Sequence, residues 1–178
     1  MKKAGKKIND EKISAVTVFG LMTAIVTVLT LFISVPLPVS SEAAYLNAGD
    51  AAVYASAYLL GPWGGAAVSS VGSALADVLH GGMIYVPATL IIKGLMAMLC
   101  GLMLKKLRGG AAFIAGLVMP LGYFAYECAL FGSPAALAGV WGNAVQYVFG
   151  SAAGCLLFAA FKRAGFTLFG RGKRGKGE

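Results

Sequence analysis

PATLIIKGLMAMLCGLMLKKLRGG, residues 87–110, carries the pattern that decides the fold. From Pro87 to Leu104 the only charged side chain is Lys93, and the run then closes on Lys105, Lys106 and Arg108 before Gly109-Gly110. At about 1.5 Å per helical residue these eighteen positions extend roughly 27 Å, close to the ~30 Å hydrocarbon thickness of a bilayer. Pro87 suits the first turn of a helix, where its missing N–H costs nothing. The run lacks the apolar–polar alternation of a barrel strand. It reads as a membrane helix with a basic end and one cation held inside.

The rest of the chain repeats this design. Residues 13–35 form a first apolar run, ended by Pro36-Leu37-Pro38 and a Ser-rich loop to about residue 48. A second, short run covers residues 51–60 and stops at Gly61-Pro62. Pro62 opens a third, to about residue 79, which His80-Gly81-Gly82 breaks. The run just quoted is the fourth. The fifth covers residues 111–131, with a kink expected at Pro120. After Gly132-Ser133-Pro134 the sixth covers residues 135–161. Six apolar segments joined by short loops predict an all-α integral membrane protein, a six-helix bundle, because open sheet edges cannot face lipid. The expected organisation is a basic tail over residues 1–12, a membrane domain over 13–162, and a basic, disordered tail over 163–178. Residues 1–44 resemble a signal peptide, but an apolar stretch of 23 residues is too long for one and long enough to span.

Charge supplies the orientation. The chain has 178 residues, 12% charged, with mean hydropathy +0.79. A soluble domain carries about 25% charged residues. Of the 15 Lys and Arg, five precede residue 13, three lie at 105–108 and six at 162–176. The positive-inside rule puts these three sites in the cytoplasm, hence both termini. Six spans require all three to share a side, so span count and charge agree. The loops at 36–50, 80–86 and 132–135 then face outward, and none carries Lys or Arg. The net charge of +8 resides in tails and one loop. It lacks the basic face of a nucleic-acid binder, so anionic lipid headgroups are the expected partner. Cys100, Cys128 and Cys155 lie inside apolar runs without metal-ligand spacing and read as small core residues.

The remaining polar groups concentrate at the outward ends. Asp50 opens the second helix. Asp77 lies two residues from the end of the third, with His80 just beyond. Lys93 is about 9 Å into the fourth. Glu127 lies four residues from the end of the fifth, and Asn143 and Gln146 in the outer half of the sixth. A charge at bilayer depth costs about 2.5–3.5 kcal/mol even on lenient scales, so these groups should face inward and be paired. Lys93 has three candidate partners, Asp50, Asp77 and Glu127, and Lys93 and Glu127 are expected within reach of one another or of a shared ligand. Tyr45, Tyr54, Tyr85, Tyr123, Tyr126, Trp141 and Tyr147 ring the same level. Asn143, Gln146, Tyr147 and Gly150 share one face of the sixth helix. The set describes an outward polar pocket for a flat, polar, ring-containing ligand. A salt-bridge network that merely holds helices together is the plainer reading. There is one His, no paired metal ligand and no phosphate-cradling loop. Neither a metal, a cofactor nor an enzyme is expected.

Small residues fill the first half: Gly20 and Ala24 on the first helix, and Gly64, Gly65, Gly72, Ser69, Ser70 and Ser73 on the third. They allow close helix approach, either within this chain or against another membrane subunit.

Four stretches carry a resemblance: Tyr45-Leu46-Asn47-Ala48-Gly49-Asp50-Ala51; Leu60-Gly61-Pro62; Gly72-Ser73-Ala74-Leu75-Ala76-Asp77; and Tyr85-Val86-Pro87-Ala88-Thr89-Leu90-Ile91-Ile92-Lys93-Gly94-Leu95. The chain resembles, over residues 13–162, an S component of an energy-coupling factor (ECF) vitamin transporter. The subgroup is riboflavin-type, with relatives for pyridoxine-like and hydroxymethylpyrimidine compounds. The resemblance implies a prokaryotic cytoplasmic-membrane protein that captures a small water-soluble vitamin or precursor at its outer face. It also implies docking, through the first three helices, on a transmembrane coupling subunit driven by two ATPase subunits. The small-residue motif Gly20/Ala24 matches the docking motif with Gly for the usual Ala. The motifs between 45 and 95 are specific, and the fifth and sixth helices match only in general character. Together with the buried polar groups above, the candidate ligand site comprises Asn47, Asp50, Tyr54, Asp77, His80, Tyr85, Lys93, Tyr123, Glu127, Asn143, Gln146 and Tyr147. The rival readings are a self-sufficient secondary carrier and a small membrane enzyme using Asp77, His80 and Glu127. Against the carrier stand inner halves without a polar path and the lack of an inverted repeat.

Overall fold

The computed structural model describes residues 2–36 and 45–166, with side chains described for residues 16–33 and 47–166. Helix α1 covers Lys2–Phe32, α2 Gly49–His80, α3 Val86–Leu107, α4 Ala111–Gly116, α5 Val118–Phe131 and α6 Ser133–Arg163. Short 3-10 turns, Met83–Tyr85 and Arg108–Gly110, join α2 to α3 and α3 to α4. Helix α1 begins at Lys2, well before residue 13, because the Lys-, Ala- and Glu-containing tail has good helix propensity. Most of the tail expected to be disordered, residues 167–178, lies outside the described residues, as do residues 37–44 of the first loop.

The architecture is all-helical apart from one small ladder. The strands β1 (Ser34–Pro36) and β2 (Tyr45–Asn47) pair antiparallel, with Val35 opposite Leu46. The two ends of the expected Pro- and Ser-rich loop are thus tied together.

The break expected at Gly61-Pro62 is a reversal of the chain inside α2. Gly61 has φ 78° and ψ −174°, which glycine alone adopts readily, and Pro62 lacks the N–H that would continue the ladder. Across this point the Ser56 and Ser69 hydroxyls are 2.8 Å apart. Thirteen residues along one straight helix would separate them by about 20 Å. A Cβ on Gly65 would fall 2.7 Å from the Ala57 Cα, so the two limbs, residues 49–60 and 62–80, pack face to face through small residues. From α3, Gly101 seats directly on Pro62; a Cβ there would lie 2.7 Å from the Pro62 Cα.

Pro120 acts three residues upstream of itself. The helix is interrupted at Leu117, between α4 and α5, because Pro120 has no N–H to offer the carbonyl of Gly116 and its ring crowds that carbonyl.

The surface is the reverse of a soluble protein's. Phe32, Trp63, Leu79, Leu121 and Leu156 each expose about two-thirds or more of their surface. Buried positions include Asp50, Lys93, Gln146, Thr89, Ser56, Ser69, Ser73 and Ser151. Monomeric soluble proteins rarely present so continuous an apolar exterior. The stretches Met83–Phe131 and Ser133–Arg163 are long and apolar enough to cross a membrane, and Val16–Phe32 is a shorter apolar helix. Inside, α2 presents Tyr54 and Tyr58 to a glycine-lined face of α6. A Cβ on Gly154 would fall 2.5 Å from the Tyr54 ring, and the Tyr58 hydroxyl donates to the Gly154 carbonyl at 3.0 Å. The packing of α1 on α2 is equally close. Gly72 meets Val26, and the Thr27 hydroxyl donates to the Gly72 carbonyl at 2.9 Å.

Candidate functional site

Two tiers of polar groups lie toward one end of the bundle, where α2 and α5 finish and α3 and α6 begin. The lower tier is a closed knot. Lys93 is ion-paired with Asp50, and its ammonium also approaches the Met119 sulfur at 3.3 Å. The second Asp50 oxygen accepts from Gln146 Nε2 at 2.8 Å. The same amide grips the strand end: Gln146 Nε2 donates to the Asn47 carbonyl at 3.0 Å, and Gln146 Oε1 accepts from the Asn47 N–H at 2.8 Å. The Asn47 side chain accepts from the Gly49 N–H at 2.8 Å, which settles the entry to α2. Asp50, Lys93 and Gln146 are 1%, 7% and 5% exposed.

This knot corrects the expected depth of Asp50. It opens α2, yet it sits level with Gln146, thirteen residues into α6 and about 20 Å from that helix's start. The first limb of α2 is short, so it begins part-way down the bundle. The ladder β1–β2 reaches in to meet it. The partner of Lys93 is accordingly Asp50. Asp77 acts on Lys93 only through its field, and Glu127 is bonded elsewhere. Gly150 makes room for the knot, since a Cβ there would lie 2.8 Å from the Asp50 Cβ.

The upper tier is aromatic and acidic. Thr89 and Tyr123 share a hydrogen bond between hydroxyls at 2.8 Å, with the Asp77 carboxyl beside Thr89. The Tyr123 ring meets Tyr85 at 6.3 Å between centroids, and Tyr85 meets Tyr126 at the same distance. The Tyr85 hydroxyl is 3.5 Å from Glu127 Oε1, and the Tyr126 hydroxyl donates to the Ile84 carbonyl. Glu127 Oε2 points at α6, where a Cβ on Gly139 would approach it to 2.6 Å. Two carboxylate oxygens here, Asp77 Oδ2 and Glu127 Oε2, are buried and have no hydrogen-bond partner. The tiers touch through Lys93, whose ammonium is 6.0 Å from the Tyr123 ring centroid. Asn143, half-buried, lies one turn along α6 from Gly139 on the same face. His80 is exposed at the end of α2, close enough to Asp77 for an electrostatic interaction.

The structure thus brings together Asp77, Tyr85, Tyr123 and Glu127 in one tier, and Asn47, Asp50, Lys93 and Gln146 in the other. The Tyr54 and Tyr147 hydroxyls bond outside both tiers, although Tyr54 lies close enough to Asp50 for an electrostatic interaction. Tyr54 is fully buried beside Ser151, and the Tyr147 hydroxyl turns away to the Phe113 carbonyl at 3.1 Å. Thr89, Met119 and Gly139 were missed from the sequence. Thr89 was findable, being one helical turn before Lys93 on the same face. Met119 and Gly139 carry no local signal. Gly20 and Ala24 lie exposed on α1; around Gly20 no atom would meet an added Cβ within 4 Å.

A buried, neutralised ion pair under a ring of tyrosines and unpaired carboxylate oxygens is suited to holding a small polar ring. The family model described as ECF-type riboflavin transporter, S component, matches residues 10–163. The chain belongs to this family. It is therefore a transporter component, and its apolar exterior is that of a membrane protein. A thiamine precursor transporter, HmpT, of Lactococcus lactis subsp. cremoris (strain MG1363) is 29% identical over 160 residues, covering 90% of this chain and 95% of the relative. An "uncharacterized protein in gap 3′ region" of Pyrococcus woesei is 36% identical over 130 residues, covering 70% of this chain and 86% of the relative.

Proposed function

We propose that this S component binds a small water-soluble vitamin or vitamin precursor in the two-tier site, at the outer face of a prokaryotic cytoplasmic membrane. Transport then follows docking on a transmembrane coupling subunit driven by two ATPase subunits. The family match over residues 10–163 carries this reading. The arrangement of the site supports it: among the described residues, Asp50, Asp77, Lys93 and Glu127 gather toward one end, and the basic residues Lys105, Lys106, Arg108, Lys162 and Arg163 lie at the other. That asymmetry fits a six-segment topology with both termini cytoplasmic. The reversal at Gly61 supports the count, because it lets α2 act as two segments, as does the continuity of residues 111–131 around Leu117. A membrane domain near residues 13–162 flanked by basic tails completes the organisation.

The ligand candidates are riboflavin, a pyridoxine-like compound and hydroxymethylpyrimidine. Within the site, Tyr85, Tyr123, Glu127, Asp77 and Asn143 would contact it, with His80 at the rim. Lys93, Asp50, Gln146 and Asn47 would form the floor, and Tyr54 and Tyr147 would brace the helices behind. The exposed Gly20/Ala24 face of α1 would meet the coupling subunit, since small residues let backbones approach. No enzymatic role is needed. Mass spectrometry of the compound that copurifies with the protein tests the assignment. A vitamin-sized heterocycle is expected. Uptake in cells lacking every coupling ATPase would instead support a self-sufficient carrier.

A further inference from the structure

Among the fully buried side-chain atoms of the upper tier, the unpaired hydrogen-bonding capacity is acceptor capacity. The cation that could have neutralised an anionic ligand, Lys93, is already held by Asp50, and Asp50's other oxygen by Gln146. What remains is Glu127 Oε2 and Asp77 Oδ2, both buried and unpartnered, at the two ends of a continuous wall. That wall runs from Asp77 past Thr89 to Tyr123, then Tyr85, then Glu127. Buried acceptors without donors are costly to keep, so a ligand that supplies donors recovers most from this site. Gly139 holds the Glu127 carboxylate in place by having no side chain of its own; any Cβ there would collide with Oε2.

We infer that the site selects an amino-substituted heteroaromatic ring, whose exocyclic amine and protonatable ring nitrogen donate to Glu127 and Asp77 while its face lies against Tyr85 and Tyr123. Each carboxylate has one oxygen to offer, so each takes a single charge-assisted donor, one from the amine and one from a ring nitrogen on another edge of the ring. A ring system that turns carbonyl oxygens toward the same wall would set acceptor against acceptor and leave both carboxylates unpaired. Among the candidates above, this favours the aminopyrimidine over the flavin. The inference rests on the proposed vitamin-binding function and narrows it.

The test is calorimetric titration of the purified full chain in detergent with three probes: hydroxymethylpyrimidine bearing its ring amine, the same ring with a carbonyl oxygen replacing the amine, and riboflavin. The amine should bind tighter than its carbonyl counterpart by roughly tenfold to a hundredfold, since one buried pairing is lost. Glu127→Gln should weaken the amine by about tenfold or more. It should also improve the carbonyl probe, because the new amide can donate. Gly139→Ala, which leaves Glu127 intact but pushes its carboxylate aside, should weaken the amine without improving the carbonyl probe; this variant serves if Glu127→Gln fails to fold. Tight riboflavin binding with no response to the aminopyrimidine would overturn the inference and leave vitamin binding standing. A wild-type protein that binds none of the three probes would also overturn it. The copurification measurement separately decides whether any vitamin is bound at all.

Discussion

Asp50 and Glu127 are both carboxylates inside the helical bundle, and they are treated oppositely. Asp50 is 1% exposed and has both oxygens engaged, by Lys93 and by Gln146. Glu127 keeps one oxygen with no partner and the other 3.5 Å from Tyr85. The lower tier has its buried charges paired, whereas the upper tier keeps two buried carboxylate oxygens without a partner, which the proposed ligand would supply. A buried ion pair whose members are also hydrogen-bonded contributes little net stability, but losing one partner is severe, because the survivor is left charged and alone. An incompletely paired tier has the opposite economy: its residues can change with little loss of fold and large loss of ligand. The paired and the unpaired carboxylates are thus separated by one or two helical turns within the same end of the bundle.

The largest expected effect comes from breaking the closed tier. Lys93→Met should destabilise the protein by about 3–5 kcal/mol, measured by thermal melting in detergent, because Asp50 is stranded. Pairing it with Asp50→Asn should restore much of that loss. A single variant that melts within about 0.5 kcal/mol of wild type, the range of ordinary surface changes, would mean the pair is not structural. Any fall in vitamin binding by the single variant is then to be compared with the double before Lys93 is assigned a ligand contact.

Gln146→Ala comes next. It strips the amide that joins Asn47 to Asp50 and should cost about 1–3 kcal/mol by leaving those groups unsatisfied. Because Gln146 anchors the end of β2, hydrogen exchange should speed up in Tyr45–Asn47 and the start of α2. Exchange unchanged there would show that the ladder holds without its anchor.

Asn143→Ala probes the boundary. It lies on the face of α6 that carries Gly139, so ligand affinity should fall roughly tenfold to a hundredfold while melting stays within about 0.5 kcal/mol of wild type. A loss of stability without a loss of affinity would move Asn143 into the packed tier.

The smallest effect on the isolated protein is expected at Gly20. Gly20→Leu with Ala24→Leu lies on an exposed face with open space at Gly20, so stability and ligand affinity should both be unchanged. Uptake in cells should stop, because the coupling subunit can no longer approach closely. Normal uptake by this variant would remove the α1 face from the docking surface.

How much of this was readable beforehand varies with the range of the interaction. The apolar runs, the proline and glycine breaks and the alternation of basic ends are local features of the chain. Hydrophobicity and backbone restriction act residue by residue, so the helical class and the two ends of the bundle follow from sequence alone. Gly61-Pro62 and Pro120 were legible as interruptions for the same reason. The isolation of Lys93 was legible too, because a lone cation in an apolar run must find a partner. Which partner it finds was decided only in three dimensions. Asp50 is 43 residues away, and Gln146 reaches Asn47 across 99. Successive helix positions turn by about 100°, so a shift of one residue in where a helix begins re-aims every side chain on it. The depth at which α2 starts, set by the reversal at Gly61 and the inward reach of the β1–β2 ladder, put Asp50 rather than Asp77 or Glu127 beside Lys93. The same choice left Glu127 and Asp77 each with an oxygen to offer.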